Sequence, residues 1–270
     1  MNTTTVNVLY LAAGYGTRLE RDLKNSTYSH LIGTPKALIP LLGIPLLQHW
    51  YSKFSTSRQF IVCNSTHYPL FVEWAKSVNF PINNILKNNS TTNDNRLGSV
   101  KDLSNAVSHF SLQNEHLIVI AGDTLIKQFN IDRFIQTCST IPGSVVLNYK
   151  VSDEECLKSG ILETSLENDL NRVVGFLEKP SPNDTPSRLG CPCFYYLSPD
   201  ALRTLPVFLQ AKGADCELKE IDAAGRWIEW LIHQVPVYTL PIVGRLDIGG
   251  LPSYIEAEKY LQESSNLVID

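Results

Sequence analysis

Apolar positions follow two rhythms along the 270 residues of this chain. In the first half, short and almost wholly apolar runs at 6–11, 59–63, 82–86 and 116–121 have punctuated ends, the pattern of strands buried on both faces. Helix-length stretches at 45–54, 69–77 and 98–110 lie between them. Such alternation gives parallel strands joined by right-handed helical crossovers, with helices on both faces of the sheet. From Gly143 the rhythm changes. Runs at 143–150, 160–164, 173–177 and 193–197 read as strands with fewer helices between them, a mixed-sheet extension of the first half. Helices are also predicted over 224–232 and 253–263. The expected fold is α/β and Rossmann-like, with a mostly parallel central sheet. No Pro- or Gly-rich linker interrupts it, so one domain over 1–270 is expected, with halves at about 1–142 and 143–250 and a C-terminal helix at about 253–263.

Composition narrows the function. A net charge of −4 and a pI near 5.9 exclude a nucleic-acid protein held by a broad basic face. No apolar run approaches the roughly 20 residues of a membrane span. The first residues lack the basic n-region of a signal peptide, so the cytosol is the expected compartment. The six cysteines show no disulfide framework, and Cys191-Pro-Cys193 is their only close pair. They are read as free thiols.

The first motif that carries chemistry is Leu11-Ala12-Ala13-Gly14-Tyr15-Gly16-Thr17-Arg18-Leu19. A strand runs into small residues and a glycine-containing turn, where backbone N–H groups can approach a phosphate and Arg18 can offer a guanidinium fork. The dinucleotide fingerprint fails because Leu19 stands where its third glycine belongs, and no Gly-Lys-Ser/Thr completes a P-loop. Downstream, Pro35-Lys36 holds a lysine on a stiff backbone, followed by Pro40 and Gly43-Ile-Pro45-Leu-Leu. Taken singly, the loop is equally well a tight turn and the lysine a surface residue.

Together these motifs resemble the sugar nucleotidyltransferases, in particular the glucose-1-phosphate thymidylyltransferase and uridylyltransferase group. The likeness continues through Ala121-Gly-Asp123, Ser159-Gly160-Ile-Leu-Glu163, Phe176-Leu-Glu178-Lys179-Pro180 and Arg245-Leu-Asp247-Ile-Gly249. It implies a nucleotide-diphospho-sugar transferase (GT-A-like) fold and transfer of a nucleotidyl group from a nucleoside triphosphate, UTP or dTTP, to a sugar 1-phosphate. The first half is then the nucleotide-binding half and the second the sugar-phosphate-binding half. By the same resemblance Leu11, Ala12, Ala13 and Gly14 contact base and ribose, and Gly16, Thr17 and Arg18 form the triphosphate loop. Gly98 frames the base, and Lys36 contacts the phosphates. Asp123 and Asp247 hold Mg2+, with Arg18, Lys36 and Asp123 as the catalytic set. Gly160, Glu178 and Lys179 hold the sugar 1-phosphate.

Elementary chemistry is compatible with these roles. The attacking phosphate monoester is largely ionised at neutral pH, its second pKa being about 6, so no general base is required. The six histidines indeed fall in no catalytic pattern. The difficulty is to bring two polyanions together, a task for positioning and charge neutralisation by Arg, Lys and Mg2+.

Departures from the family pattern are equally specific. Eighteen positions separate Arg18 from Lys36, more than is usual, which predicts a lid or interface loop over 21–34. Thr124 replaces the usual Asn after the metal Asp, and Pro192-Cys193 stand where a glycine is usual, so the sugar stays open. Two other readings also remain open: a cytidylyltransferase acting on phosphocholine or a similar phosphorylated alcohol, and a non-catalytic binder of sugar nucleotides. Homo-oligomers are compatible with all three.

Overall fold

The computed structural model describes residues 6–213 and 215–266. The stretch at 1–5, part of the segment read against a signal peptide, lies outside the described residues. The first half contributes β1 (Asn7–Ala12), the small ribbon β2 (Pro40–Leu41) and β3 (Ile44–Pro45), β4 (Gln59–Cys63), β5 (Ile85–Lys87), β6 (Leu117–Ala121) and β7 (Thr124–Ile126). The second half contributes β8 (Ser144–Lys150), β9 (Gly160–Glu167), β10 (Leu170–Glu178), β11 (Leu189–Cys191), β12 (Phe194–Leu197), β13 (Val237–Pro241) and β14 (Arg245–Asp247).

Ten strands form one sheet in the order β11-β9-β10-β13-β8-β12-β6-β1-β4-β5. The stretch β6-β1-β4-β5 is wholly parallel, as the alternating pattern predicts. Beyond it the mostly parallel expectation fails. Of the ten pairings in the sheet only four are parallel, the fourth being β8 with β13. The connections explain this. β9 and β10 are joined by Asn168-Asp169 alone, both at positive φ (48° and 63°), a two-residue hairpin turn that forces antiparallel pairing. β11 and β12 lie along the same edge of β8, parted only by Pro192-Cys193, and β11 leaves that edge to pair with β9 as well. The second half is therefore a mixed sheet, as its altered rhythm predicts, and it also curls, which that rhythm does not foretell. The run predicted as a strand at 82–86 also shifts: Pro81 leads into a 3-10 turn, Ile82–Asn84, and only Ile85–Lys87 pairs.

Alternate strand residues feed two apolar layers. One collects Val8, Tyr10, Ile61, Ile118, Ile120, Val145, Leu147, Phe194 and Tyr196 under helices Leu46–Tyr51, Tyr68–Ser77 and Ile131–Cys138 and the helix at Leu251–Asn266. The other collects Leu9, Phe60, Val62, Leu117, Val119, Val146, Tyr195 and Leu197 under helices Ser99–His109, Pro199–Arg203, Leu205–Lys212 and Gly225–Leu231. Helices thus cover both faces. The segment 21–34 lines none of the main cleft. Its Leu23 and Leu31 are core residues, Tyr28 packs edge-on against Tyr254, and Asp22 accepts a hydrogen bond from the Leu251 N–H. It buttresses the C-terminal helix. Among the described residues no helix is long and apolar enough to cross a membrane.

Candidate active site

β1 continues one way into β4 and the other way into β6, so a crevice opens at its carboxyl end where the strand order reverses, the usual ligand position in such sheets. A cleft of about 360 Å³ lies there, between the two halves of the sheet. Leu11, Ala13, Gly14, Gly98 and Ser99 line one wall, and Gly160, Phe176, Glu178, Lys179, Cys191, Cys193 and Tyr195 the other. Asp123, Asp247 and Arg245 lie at the junction.

The first wall is mostly backbone. Leu11 is level with Ala121 on β6, and its carbonyl accepts from the Gly122 N–H at 2.9 Å, which closes the strand ends side by side. Gly16 has φ 63°, a left-handed conformation that favours glycine, and a Cβ there would press to 3.2 Å from the Lys36 stem, so glycine gives that lysine room across the loop. Gly98 has φ 85° and sits 2.7 Å, measured from an ideal Cβ, from the Ile221 carbonyl oxygen. Beyond it the Ser99 and Val100 N–H groups donate to the Asp222 and Ile221 carbonyls, stitching the helix start to the loop that precedes Gly225–Leu231. Arg96 adds a two-pronged pair to Asp222, at 3.0 and 2.9 Å.

At the junction, Lys36 Nζ donates to Asp123 Oδ2 at 3.0 Å. Asp123 follows β6, and the backbone just past it is pinned by the buried Trp50 indole N–H, 2.7 Å from the Thr124 carbonyl. β14 pairs with β7 so that Asp247 lies opposite Thr124, while the Ile248 N–H donates to the Asp123 carbonyl at 2.8 Å. Residues 124 positions apart in sequence thus become neighbours. Burial, and then the nearby Asp123 carboxylate, raise the Asp247 carboxyl above the ordinary range, against Arg245, Lys36 and Arg18. Arg245 Nη1 holds Asp247 at 3.1 Å, and its Nε donates to the Tyr149 hydroxyl at 2.7 Å. Arg18 is exposed and lies along a wider groove of about 820 Å³ that runs outward past Asp247, Lys158, Lys179, Lys127 and Lys150.

On the second wall Glu178 is nearly enclosed. Burial raises its carboxyl, opposed by Lys179 and Arg226. Lys179 takes φ 55°, unusual for a side-chain-bearing residue, and is held there by its N–H to the Ser159 carbonyl at 3.1 Å. The turn at the end of β10 aims two successive charged side chains at one space.

Of the sequence-chosen residues, Leu11, Ala13, Gly14, Gly98, Asp123, Gly160, Glu178, Lys179 and Asp247 all line the cleft. Ala12, Gly16 and Lys36 border a small recess that shares Asp123 with it, and Arg18 joins through Asp247 and the outer groove. Thr17 is exposed at the start of helix Thr17–Leu23 and lines none of these spaces. Sequence reasoning left Arg245, Lys158, Tyr195 and Asp102 without roles. Arg245 was in view inside its motif. Asp102 announces itself only as a carboxylate on the apolar stripe of Ser99–His109, among the buried Val100, Leu103, Ala106 and Val107. Among the described residues no three His, Cys, Asp or Glu side chains converge, and the cysteines are all free.

Comparison with known proteins gives the same picture. A family model described as nucleotidyl transferase matches residues 7–264. The chain is 23% identical, over 284 aligned positions, to a UTP–glucose-1-phosphate uridylyltransferase of Pseudomonas aeruginosa, covering 94% of this chain and 95% of that protein. Among solved structures, a UDP-glucose pyrophosphorylase complexed with UDP-glucose superposes with a TM-score of 0.70 at 20% identity, over 96% of this chain and 99% of the other. A Bacillus anthracis structure described as a glucose-1-phosphate thymidylyltransferase superposes with a TM-score of 0.71 at 18% identity, over 94% of both chains.

Proposed function

Because this chain belongs to the nucleotidyl transferase family, we propose that its cleft joins a sugar 1-phosphate to UTP or dTTP, releasing pyrophosphate. The observation that carries this reading is the junction. A backbone-lined wall and a wall bearing Glu178 and Lys179 meet where Lys36–Asp123 and Arg245–Asp247 stand side by side. The relatives' substrates, a uridine nucleotide and glucose 1-phosphate by their names, agree with it.

In the proposed reaction an oxygen of the sugar 1-phosphate attacks the α-phosphorus. A P–O bond forms in line as the bond to the β-phosphate oxygen breaks, and the electron pair leaves with pyrophosphate. The nucleophile arrives ionised, so no residue needs to take a proton. Leu11 to Gly14 seat base and ribose, with Gly98 opposite. Gly16 keeps Lys36 over the triphosphate, and Arg18 meets the departing pyrophosphate along the outer groove. Glu178 accepts from sugar hydroxyls, and Lys179 holds the sugar's phosphate.

Two carboxylates whose mutual repulsion is felt at Asp247 suit a divalent cation. Mg2+ binds through one or two carboxylates and completes its shell with water and phosphate oxygens. Asp123 and Asp247 would hold it. When bound it neutralises charge on the α-phosphate and on the leaving pyrophosphate. Lys36 and Arg245 each pair with one of those carboxylates. The cytosol as compartment belongs to the same proposal, supported by the free thiols. The test is pyrophosphate release in a screen of four nucleoside triphosphates against a panel of sugar 1-phosphates and phosphorylated alcohols, with Mg2+. Turnover with UTP or dTTP and a sugar 1-phosphate is expected, and turnover confined to CTP and phosphocholine would replace this reading with the cytidylyltransferase one.

A further inference from the structure

Asp102 is the deepest carboxylate on the nucleotide side of the cleft. It lines the same space as Leu11, Gly14, Gly98 and Ser99, yet it is only 5% exposed. One of its oxygens is committed: Oδ1 accepts from the Asn88 amide Nδ2 at 2.8 Å. That amide cannot flip, because its own Oδ1 accepts from the Ser90 N–H at 3.0 Å and from the Ser90 hydroxyl at 2.9 Å. The Ser90 hydroxyl also meets the Tyr15 hydroxyl at 3.0 Å, so the network reaches the glycine loop itself. Asp102 Oδ2, by contrast, has no hydrogen-bond partner among the described residues. The residue is buried, but this oxygen is not sealed off: it opens on the cleft, where an acceptor locked in orientation can receive a donor from whatever fills the space. The fixed network also decides which element of the pair the ligand meets: a pure acceptor, locked in orientation, beside a wall of backbone and small side chains.

We propose that Asp102 Oδ2 reads the nucleobase by accepting a hydrogen bond from N3–H of uracil or thymine. This rests on the cleft being a nucleotide site, as argued above, and deepens it by naming the residue that selects the base. A uracil-type base offers a donor at N3, whereas cytosine offers an acceptor there, so a carboxylate at N3 favours the former and repels the latter; a wild type that prefers CTP would instead put the carboxylate on the cytosine 4-amine and overturn the proposal. Asp102→Asn inverts the preference. Asn88 still donates to the substituted side chain's carbonyl oxygen, which turns its NH2 group toward the ligand and presents a donor where the wild type presents an acceptor.

The experiment measures equilibrium binding of UTP and CTP to the wild type and to Asp102→Asn by titration calorimetry, with thermal unfolding as the folding control. Nucleotidyl transfer from each nucleotide is assayed in parallel. The wild type is expected to prefer UTP, and the UTP-to-CTP affinity ratio should fall at least about tenfold in Asp102→Asn, the worth of one hydrogen bond to a charged group. A purely structural role would weaken both nucleotides together and leave the ratio unchanged, which overturns the proposal. Binding of neither nucleotide by the folded wild type overturns it as well. The ratio and the turnover fail separately. A shifted ratio without nucleotidyl transfer upholds Asp102 and removes the proposed reaction, and transfer with an unshifted ratio does the reverse. An Asp102→Asn chain that does not fold is replaced by Asp102→Ala, where selectivity should vanish; retained wild-type selectivity would contradict the proposal.

Discussion

The two walls of the cleft are built by different means. The nucleotide wall hangs from parallel strands and is made largely of backbone, small residues and glycines, with Gly16 and Gly98 in conformations other residues avoid. The sugar wall hangs from hairpin strands and is made of side chains, with Glu178 enclosed and Lys179 on a strained turn. Backbone recognises what all nucleotides share, whereas side chains discriminate. On the proposed function, substrate choice therefore falls to Glu178 and its neighbours on one side and to Asp102, the exceptional side chain, on the other. The junction between the walls holds the paired charges Lys36–Asp123 and Arg245–Asp247.

Substitutions at the junction should do most damage. Asp123→Asn keeps size and hydrogen bonding but removes charge, and turnover should fall at least about 10³-fold, the several kcal/mol a bound metal supplies, with circular dichroism unchanged. Lys36→Ala should lower kcat/KM by about 10²-fold, as loss of one preorganised charge does. Near-normal turnover would return Lys36 to the surface lysines. On the sugar wall, Glu178→Gln should raise KM for the sugar 1-phosphate about tenfold while the nucleotide KM stays within twofold, because one charged acceptor is lost on one wall only. Steady-state kinetics with each substrate varied would show a blurred comparison if both constants rose together.

Asp102 yields a stability prediction of the opposite sign. Burial raises its carboxyl from the ordinary 3.8 to about 6, with Asn88 and Lys101 opposing and Asp222 adding to the rise. Cys63, at the end of β4, faces it too, but stays a neutral thiol, its own pKa pushed up to about 12. A carboxyl raised in the fold favours the folded state when protonated and penalises it once ionised. The penalty is absent below pH 3.8, grows as pH rises, and is complete above about 6, at about 3 kcal/mol. Asp102→Asn should therefore unfold at higher urea than the wild type at pH 8, with the gap closing towards pH 4. Equal urea midpoints at pH 8 would mean that Asp102 carries no such strain. Away from both walls, Asp200→Asn removes an exposed pair with Arg203 and should change turnover and stability by less than about 0.5 kcal/mol.

How far the sequence could be read follows the same division. The parallel strands and the glycine turn were legible because continuous apolar runs and small-residue loops are local signals, and β4 matches its expected bounds residue for residue. The second half was legible only as a change of rhythm. Its curl depends on β11 pairing with two strands at once, which no periodicity encodes. Site residues divide likewise. Leu11, Gly14, Asp123 and Glu178 sit in contiguous motifs that end strands, whereas Asp102 acquires meaning only when Gly98 and the 221–222 loop close round it. The long segment at 21–34 reads as a lid or an interface loop by length alone. Its buried Leu23 and Leu31 show why length is a poor guide: an insertion with apolar anchors packs down.

The proposed reaction depends most directly on Asp123 and Asp247 acting as one charge-sharing site where the walls meet. The deciding measurement is a Mg2+ titration of nucleotidyl transfer for the wild type and Asp247→Asn, with circular dichroism as the folding control. The expected result is a large loss of maximal turnover together with a rise of about tenfold or more in the Mg2+ concentration for half-maximal rate, as the loss of one of two carboxylate ligands implies. An Asp247→Asn enzyme that titrates like the wild type would contradict it and reduce Asp247 to a residue that only anchors Arg245.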